Sequence, residues 1–185
     1  MQGSFFGNYF QWLTYKAGVK HLVIFLFLSF VMNVLMVGSL TPIMKEAGVI
    51  DMAGFYSVDT AYQILKKQRQ EGRHRYLWID STLDIIYPVF YTSFYIIWIF
   101  LTWGNIFKST TYIKFIYSLP IFAACCDYLE NAGIIAMILN YPVRLEILGF
   151  ATSIASAAKW VVFIILNIIQ VLGTGLKLIK KSEKT

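Results

Sequence analysis

The chain has 185 residues, of which 58% are hydrophobic, 17% aromatic and only 14% charged, with a mean hydropathy of +0.62. That is more apolar surface than one small water-soluble core can bury, so the composition excludes an ordinary soluble domain and points to a bilayer as solvent. The net charge of +6 sits in short basic clusters beside apolar segments, which suits anionic headgroups and argues against a partner made of nucleic acid.

Crossing the hydrocarbon takes about 20 apolar residues per helix, so four crossings and their connections use nearly the whole chain as one membrane domain, residues 1–185. Residues 1–18 gather Phe5, Phe6, Tyr9, Phe10, Trp12 and Leu13 ahead of Lys16 and Lys20, the pattern of a segment lying in the headgroup interface. The apolar run of about 21–40 begins at His21, ends at Thr41-Pro42 and has one strongly polar residue in its interior, Asn33. It is longer than the roughly 7–15-residue core of a cleaved signal and reads as an uncleaved first span.

Residues 42–75 form the one long polar connection. Within it, Ser57 is an N-cap candidate with Asp59 in the first turn, and Gly72 a stop signal, which predicts a helix over about 58–71. Tyr62, Leu65 and Gln68/Arg69 fall on one side of it, so it is expected to lie against the membrane surface.

Further spans are predicted at about 76–103, 115–139 and 147–172, followed by a basic tail, 173–185. Tyr76, Trp78, Trp103, Tyr112 and Tyr141 fit aromatic belts at their ends. The connections around Gly104–Lys114 and Asn140–Glu146 are short, so neighbouring spans run antiparallel. The expected fold is all-α: a four-transmembrane-helix bundle with an N-terminal interfacial helix and one amphipathic loop helix. Eight basic residues lie on the side of the termini and seven on the other, and the reading places the termini in the cytoplasm.

Chemistry concentrates at mid-depth. Asp127, Glu130 and Asn131 have i, i+3, i+4 spacing in the third span, so all three project from one face, toward protein or trapped water rather than lipid. Lys159 lies near the centre of the fourth span, with Thr152, Ser156 and Gln170 on a similar face and small residues from Gly149 to Ala158 that let a neighbour approach closely. A pairing of Lys159 with Asp127 or Glu130 follows. In the second span, Asp84, Tyr87, Pro88, Tyr91, Tyr95 and Trp98 form a polar-aromatic stripe, with Asp80 one turn earlier, and Pro88 deprives the Asp84 carbonyl of its helical donor and favours a kink.

Counting charges sharpens this. Asp84, Asp127 and Glu130 face the interior against one central base, Lys159, so at least one carboxyl is protonated or matched by something else. Candidates are a bound cation, a cationic ligand, or Arg73, His74 and Arg75 from the membrane boundary, which also suit an anionic headgroup. The plainer alternative is that the cluster only specifies helix pairing. The tyrosines can simply pack with satisfied hydroxyls, and the vicinal Cys125-Cys126 lack redox and zinc spacing. No metal site or cofactor is indicated: the two histidines are far apart, and Gly173-Thr174-Gly175-Leu176-Lys177 lacks phosphate-loop spacing.

The run Tyr56-Ser57, Ala61-Tyr62, Leu65, Gly72-Arg73, Tyr76, Asp84, Tyr87-Pro88 and Tyr91, then Asp127, Leu129-Glu130-Asn131 and Lys159-Trp160, resembles a pattern in an uncharacterised family of four-span integral membrane proteins. The resemblance covers about two thirds of the chain and implies architecture and shared polar positions. In layout the chain is also similar to the emopamil-binding and sigma-2 receptor superfamily, whose members bind or isomerise sterol-like molecules; that likeness is one of architecture.

The residues predict an intramembrane pocket lined by Asp84, Tyr87, Tyr91, Asp127, Glu130, Asn131 and Lys159, holding a lipid-like or cationic small molecule or protons. A membrane enzyme would use the same acids for proton transfer on a lipid. A structural subunit would use them to recognise another membrane helix, from a second copy or from a membrane protein partner. In all three readings the chain contacts membrane lipids.

Overall fold

The computed structural model describes residues 5–104 and 111–182; the expected turn at Lys108, the first four residues and the tail beyond 182 lie outside the described residues. Seven helices follow in order: α1 (Phe5–Tyr15), α2 (Val19–Glu46), α3 (Val58–Lys67), α4 (Arg69–Ser81), α5 (Leu83–Trp103), α6 (Thr111–Leu139) and α7 (Glu146–Ser182). The fold is an all-α four-helix bundle, with no strand among the described residues. Among the described residues, four segments are long and apolar enough to cross a membrane: Val19–Glu46, Arg69–Trp103, Thr111–Leu139 and Glu146–Ile179.

The four differ in what they face. α6 packs most extensively against α7, and α5 packs on α2 and α6, while α2 turns Phe27, Phe30, Val34 and Leu35 outward. A ridge of large exposed apolar side chains this long suits lipid, not water. α6 approaches α7 closely at Gly133, where a Cβ would stand 1.9 Å from Thr152 Oγ1. Only a residue without a side chain fits there.

Several boundaries differ from those expected. α2 does not stop at Thr41-Pro42 but runs to Glu46: a proline removes one backbone donor, and Thr41 Oγ1 binds the Val37 carbonyl at 2.7 Å within the same turn. α7 continues well past Leu172. Gly173 is a packing residue rather than a stop, since a Cβ there would lie 2.5 Å from the Trp103 indole.

The second span is not one continuous helix from residue 76. Arg69–Trp103 is interrupted at Thr82, whose φ of −126° and ψ of −77° separate α4 from α5. Ser81 and Thr82 hydroxyls bind the Leu77 and Trp78 carbonyls at 2.6 and 2.5 Å, back-bonding that bends helices. The break therefore falls between Asp80 and Asp84, ahead of Pro88.

Ser57 caps α3 as expected, accepting from Thr60 N at 3.1 Å. The helix stops at Lys67 rather than beyond 70, and Gly72 lies inside α4. The stop is made by Arg69, the one non-glycine residue at positive φ (53°) among those described. Gln68 is buried while Arg69 is exposed, so the two do not share a face. α3 is docked on the bundle: Tyr62 Oη donates to the Val143 carbonyl at 3.1 Å and accepts from Leu145 N at 2.8 Å.

Residues 47–57 fold back into the bundle. Val49, Ile50 and Tyr56 are buried, Tyr76 Oη accepts from Ile50 N at 3.1 Å, and Trp160 Nε1 donates to the Asp51 carbonyl at 3.3 Å. α1 and the turn after it likewise dock on the bundle, burying Leu13 and Ala17 against Ile96 and Ile97, with Tyr9 Oη 2.8 Å from Ser93 Oγ.

Candidate functional site

The polar residues predicted from the sequence do meet. Lys159 Nζ donates to Asp127 Oδ1 at 2.9 Å and lies 2.5 Å from Glu130 Oε2, so one ammonium from α7 touches both acids of α6. The second contact lacks the alignment of a hydrogen bond, and neither Glu130 oxygen has a hydrogen-bond partner. Ser156, one turn before Lys159, sits beside the Glu130 carboxylate. The register that allows this is set by the close approach at Gly133, one turn from Glu130 on the same helix.

α5 completes the cluster. Tyr91 Oη donates to Asp127 Oδ2 at 2.9 Å, so Asp127 is bound on both oxygens. Asn131 Nδ2 donates to the Asp84 backbone carbonyl at 3.3 Å. This is the carbonyl that Pro88 leaves without a helical donor, and the third span supplies the missing N–H. Tyr87 packs edge-on against Tyr91 with ring centroids 5.2 Å apart, and its hydroxyl lies beside Asn33, which gives that mid-helix amide of α2 a partner.

The charge imbalance is larger than the sequence reading allowed. Asp80, Asp84, Asp127 and Glu130 are all buried, against one buried cation among the described residues, Lys159. Asp80 is 2% exposed and within electrostatic reach of Asp51, Asp84 and Glu130. Its Oδ2 has no protein partner. Unpartnered buried atoms gather here: besides Asp80 and Glu130, they include Asn131 Oδ1, Ser156 Oγ and the Tyr56 hydroxyl. Polar atoms this deeply buried are normally paired with protein or water.

The folded-back loop closes the site on the loop side. Tyr76 Oη donates to Asp51 Oδ1 at 2.7 Å, and Ser153 Oγ accepts from Tyr56 N at 2.9 Å while donating to the Tyr56 carbonyl at 2.6 Å. Burial, with Glu130 and Asp51 nearby, pushes the Tyr56 phenol above its ordinary range, so it stays a neutral donor. The sequence reading placed Tyr76 in an aromatic belt, whereas it is fully buried and holds Asp51. Asp51, Tyr56 and Tyr76 were missed as site residues, and Asp80 was noted only as a neighbour of Asp84. The apolar pairs Val49-Ile50 and Phe55-Tyr56 were the available signal that this polar connection has an inward face.

The described cavities lie elsewhere than among these side chains, which are packed together. The membrane-boundary bases have separate surroundings. Arg73 Nη1 donates to the Leu65 carbonyl at 2.9 Å and its guanidinium stacks 4.1 Å from the Tyr141 ring centre, which ties α3 to α4 and to the α6–α7 turn. His74 and Arg75 are exposed. Cys126 is buried and its neighbour Cys125 exposed, both as free thiols. No group of three or more His, Cys, Asp or Glu side chains is placed to hold a metal ion among the described residues. No family model, curated protein or solved structure matches the chain, so its chemistry is read from this geometry alone.

Proposed function

We propose that the chain is a multi-pass membrane protein whose loop-side interior is an acidic site that takes up positive charge, as protons or as the cationic group of a lipid-like small molecule. Asp80 and Glu130 are the acceptors, Lys159 is the fixed counter-ion, and Asp127, held by both Lys159 and Tyr91, is the structural member of the set. The observation that carries the reading is the excess, among the described residues, of four buried carboxylates over one buried ammonium, together with Asp80 Oδ2, which has no protein hydrogen-bond partner, and Glu130, whose contact with protein is the Lys159 ion pair at Oε2. Four ionised carboxylates beside one cation are not sustainable in low dielectric.

One observation favours a second reading. Lys159 bridges two acids across the most extensively packed helix pair, as expected of a device that fixes helix pairing. Glu130→Gln and Asp127→Asn, made singly and extracted in mild detergent, separate the two. The uptake reading expects Glu130→Gln to stay folded and lose proton uptake or a retained cationic lipid in mass analysis, and Asp127→Asn to lose stability. If Glu130→Gln unfolds the protein and no ligand or proton is taken up by the native chain, the cluster is structural.

A further inference from the structure

A second site lies outside the bundle core, where the end of α2 faces the beginning of α4. A cavity of about 240 Å³ opens there, lined by Pro42, Ile43, Glu46, Ala47, Gln68, Arg69, Glu71, Gly72 and Arg75. Its charges balance, two arginines against two glutamates. Its two helix ends carry opposite partial charges: the C-terminal end of α2 is negative, and the N-terminal end of α4 is positive.

We propose that this cavity binds a phosphoethanolamine group, a phosphate ester bearing a primary ammonium. Arg69, Arg75 and the first amides of α4 suit the phosphate, because guanidinium forks and helix N-termini both recognise it. Glu46, Glu71 and the C-terminal end of α2 suit the ammonium. Gln68 forms part of the wall: it is 4% exposed, its Nε2 is held by the Gly48 carbonyl at 2.9 Å, and its Oε1 meets no protein donor. The acceptors call for an ammonium with N–H groups. A trimethylammonium offers none and favours aromatic faces, and no aromatic ring lines the cavity.

Two further facts place the ligand at the membrane boundary. The cavity sits at the loop-side end of α2, above the exposed apolar face of that helix, along which acyl chains can run. Arg69, whose guanidinium is offered to the phosphate, is held at φ 53°, a conformation that favours glycine. Strained backbone persists where the side chain serves a purpose. This site is independent of the buried acid cluster.

The test is native mass spectrometry of the full chain, released from bilayers that contain equal amounts of phosphatidylethanolamine, phosphatidylcholine and phosphatidylglycerol. Phosphatidylethanolamine is expected to be retained over both others by about fivefold, the scale of one or two exposed charge-assisted contacts. Arg75→Gln and the pair Glu46→Gln, Glu71→Gln should each remove that preference, while Lys45→Gln, beside the cavity but not lining it, should not. Arg69→Gly gives a signature with opposite signs: a higher Tm as the strain is relieved, and weaker retention. Competition by soluble glycerophosphoethanolamine assigns the site to the free headgroup; retention without such competition assigns it to the lipid. Equal retention of phosphatidylcholine, stronger retention of phosphatidylglycerol, or retention unaltered in all the lining variants overturns the proposal.

Discussion

The interior of the bundle has two polar halves that are built differently. Toward the chain termini the polar groups are neutral and bonded to one another. Asn167 Nδ2 donates to the Tyr95 hydroxyl at 3.0 Å, Thr102 Oγ1 donates to Gln170 Oε1 at 3.0 Å, and Trp98 Nε1 donates to Thr174 Oγ1 at 3.0 Å. Toward the 47–57 loop the groups are charged, four acids to one base, and several of their atoms have no protein partner. Neutral pairs across helices are a sufficient means of specifying packing in lipid. The chain uses that means in one half, so glue alone is a poor account of the costlier arrangement in the other.

Removing the single buried cation should break the comparison most severely. Lys159→Met leaves its carboxylates without a counter-ion, and a loss of about 4 kcal/mol is expected in thermal or denaturant unfolding in mild detergent. Gly133→Val comes next. It forces a side chain into Thr152, and the expected cost is about 2 kcal/mol, with α6 and α7 pushed apart and the Lys159–Glu130 contact lengthened. Double-mutant analysis with Lys159→Met sharpens the point, since the two losses should fall short of additive if Gly133 sets that contact.

The neutral half should respond weakly. Gln170→Leu is expected to cost about 0.6 kcal/mol, the scale of an interhelical hydrogen bond in a membrane. Asp80→Asn should be the mildest of the four, within about 0.5 kcal/mol of the parent or slightly stabilising, because it removes a buried acid that no cation neutralises. A large loss in Asp80→Asn, or a large loss in Gln170→Leu with none in Lys159→Met, would erase the distinction between the halves.

How much of this was legible in the sequence depended on the distance between partners. Asp127, Glu130 and Asn131 announce a common face by spacing alone, and the depth of Lys159 along its span names its counterpart. The Pro88 argument likewise pointed to the Asp84 carbonyl, and Asn131 supplies its donor. What remained hidden needed the chain to fold back on itself. Tyr76 reads as a belt aromatic until Asp51 is brought to it from the loop, and Ser153 reads as one more small residue until Tyr56 reaches it. The helix break at Thr82 was also hidden, because Ser and Thr hydroxyls that bind their own backbone leave no mark in an apolar pattern. Gly133 in the third span went unnoticed too: only the position of Thr152 shows why it has no side chain.

The central claim is that the loop-side half holds more carboxylates than cations and takes up positive charge to compensate. Infrared spectroscopy of the full chain in lipid bilayers at neutral pH reads it directly. A carbonyl stretch from protonated carboxyl groups is expected, shifted in deuterated water and diminished in Asp80→Asn and Glu130→Gln. The absence of such a band, in protein from which no cationic ligand is recovered, would contradict the account.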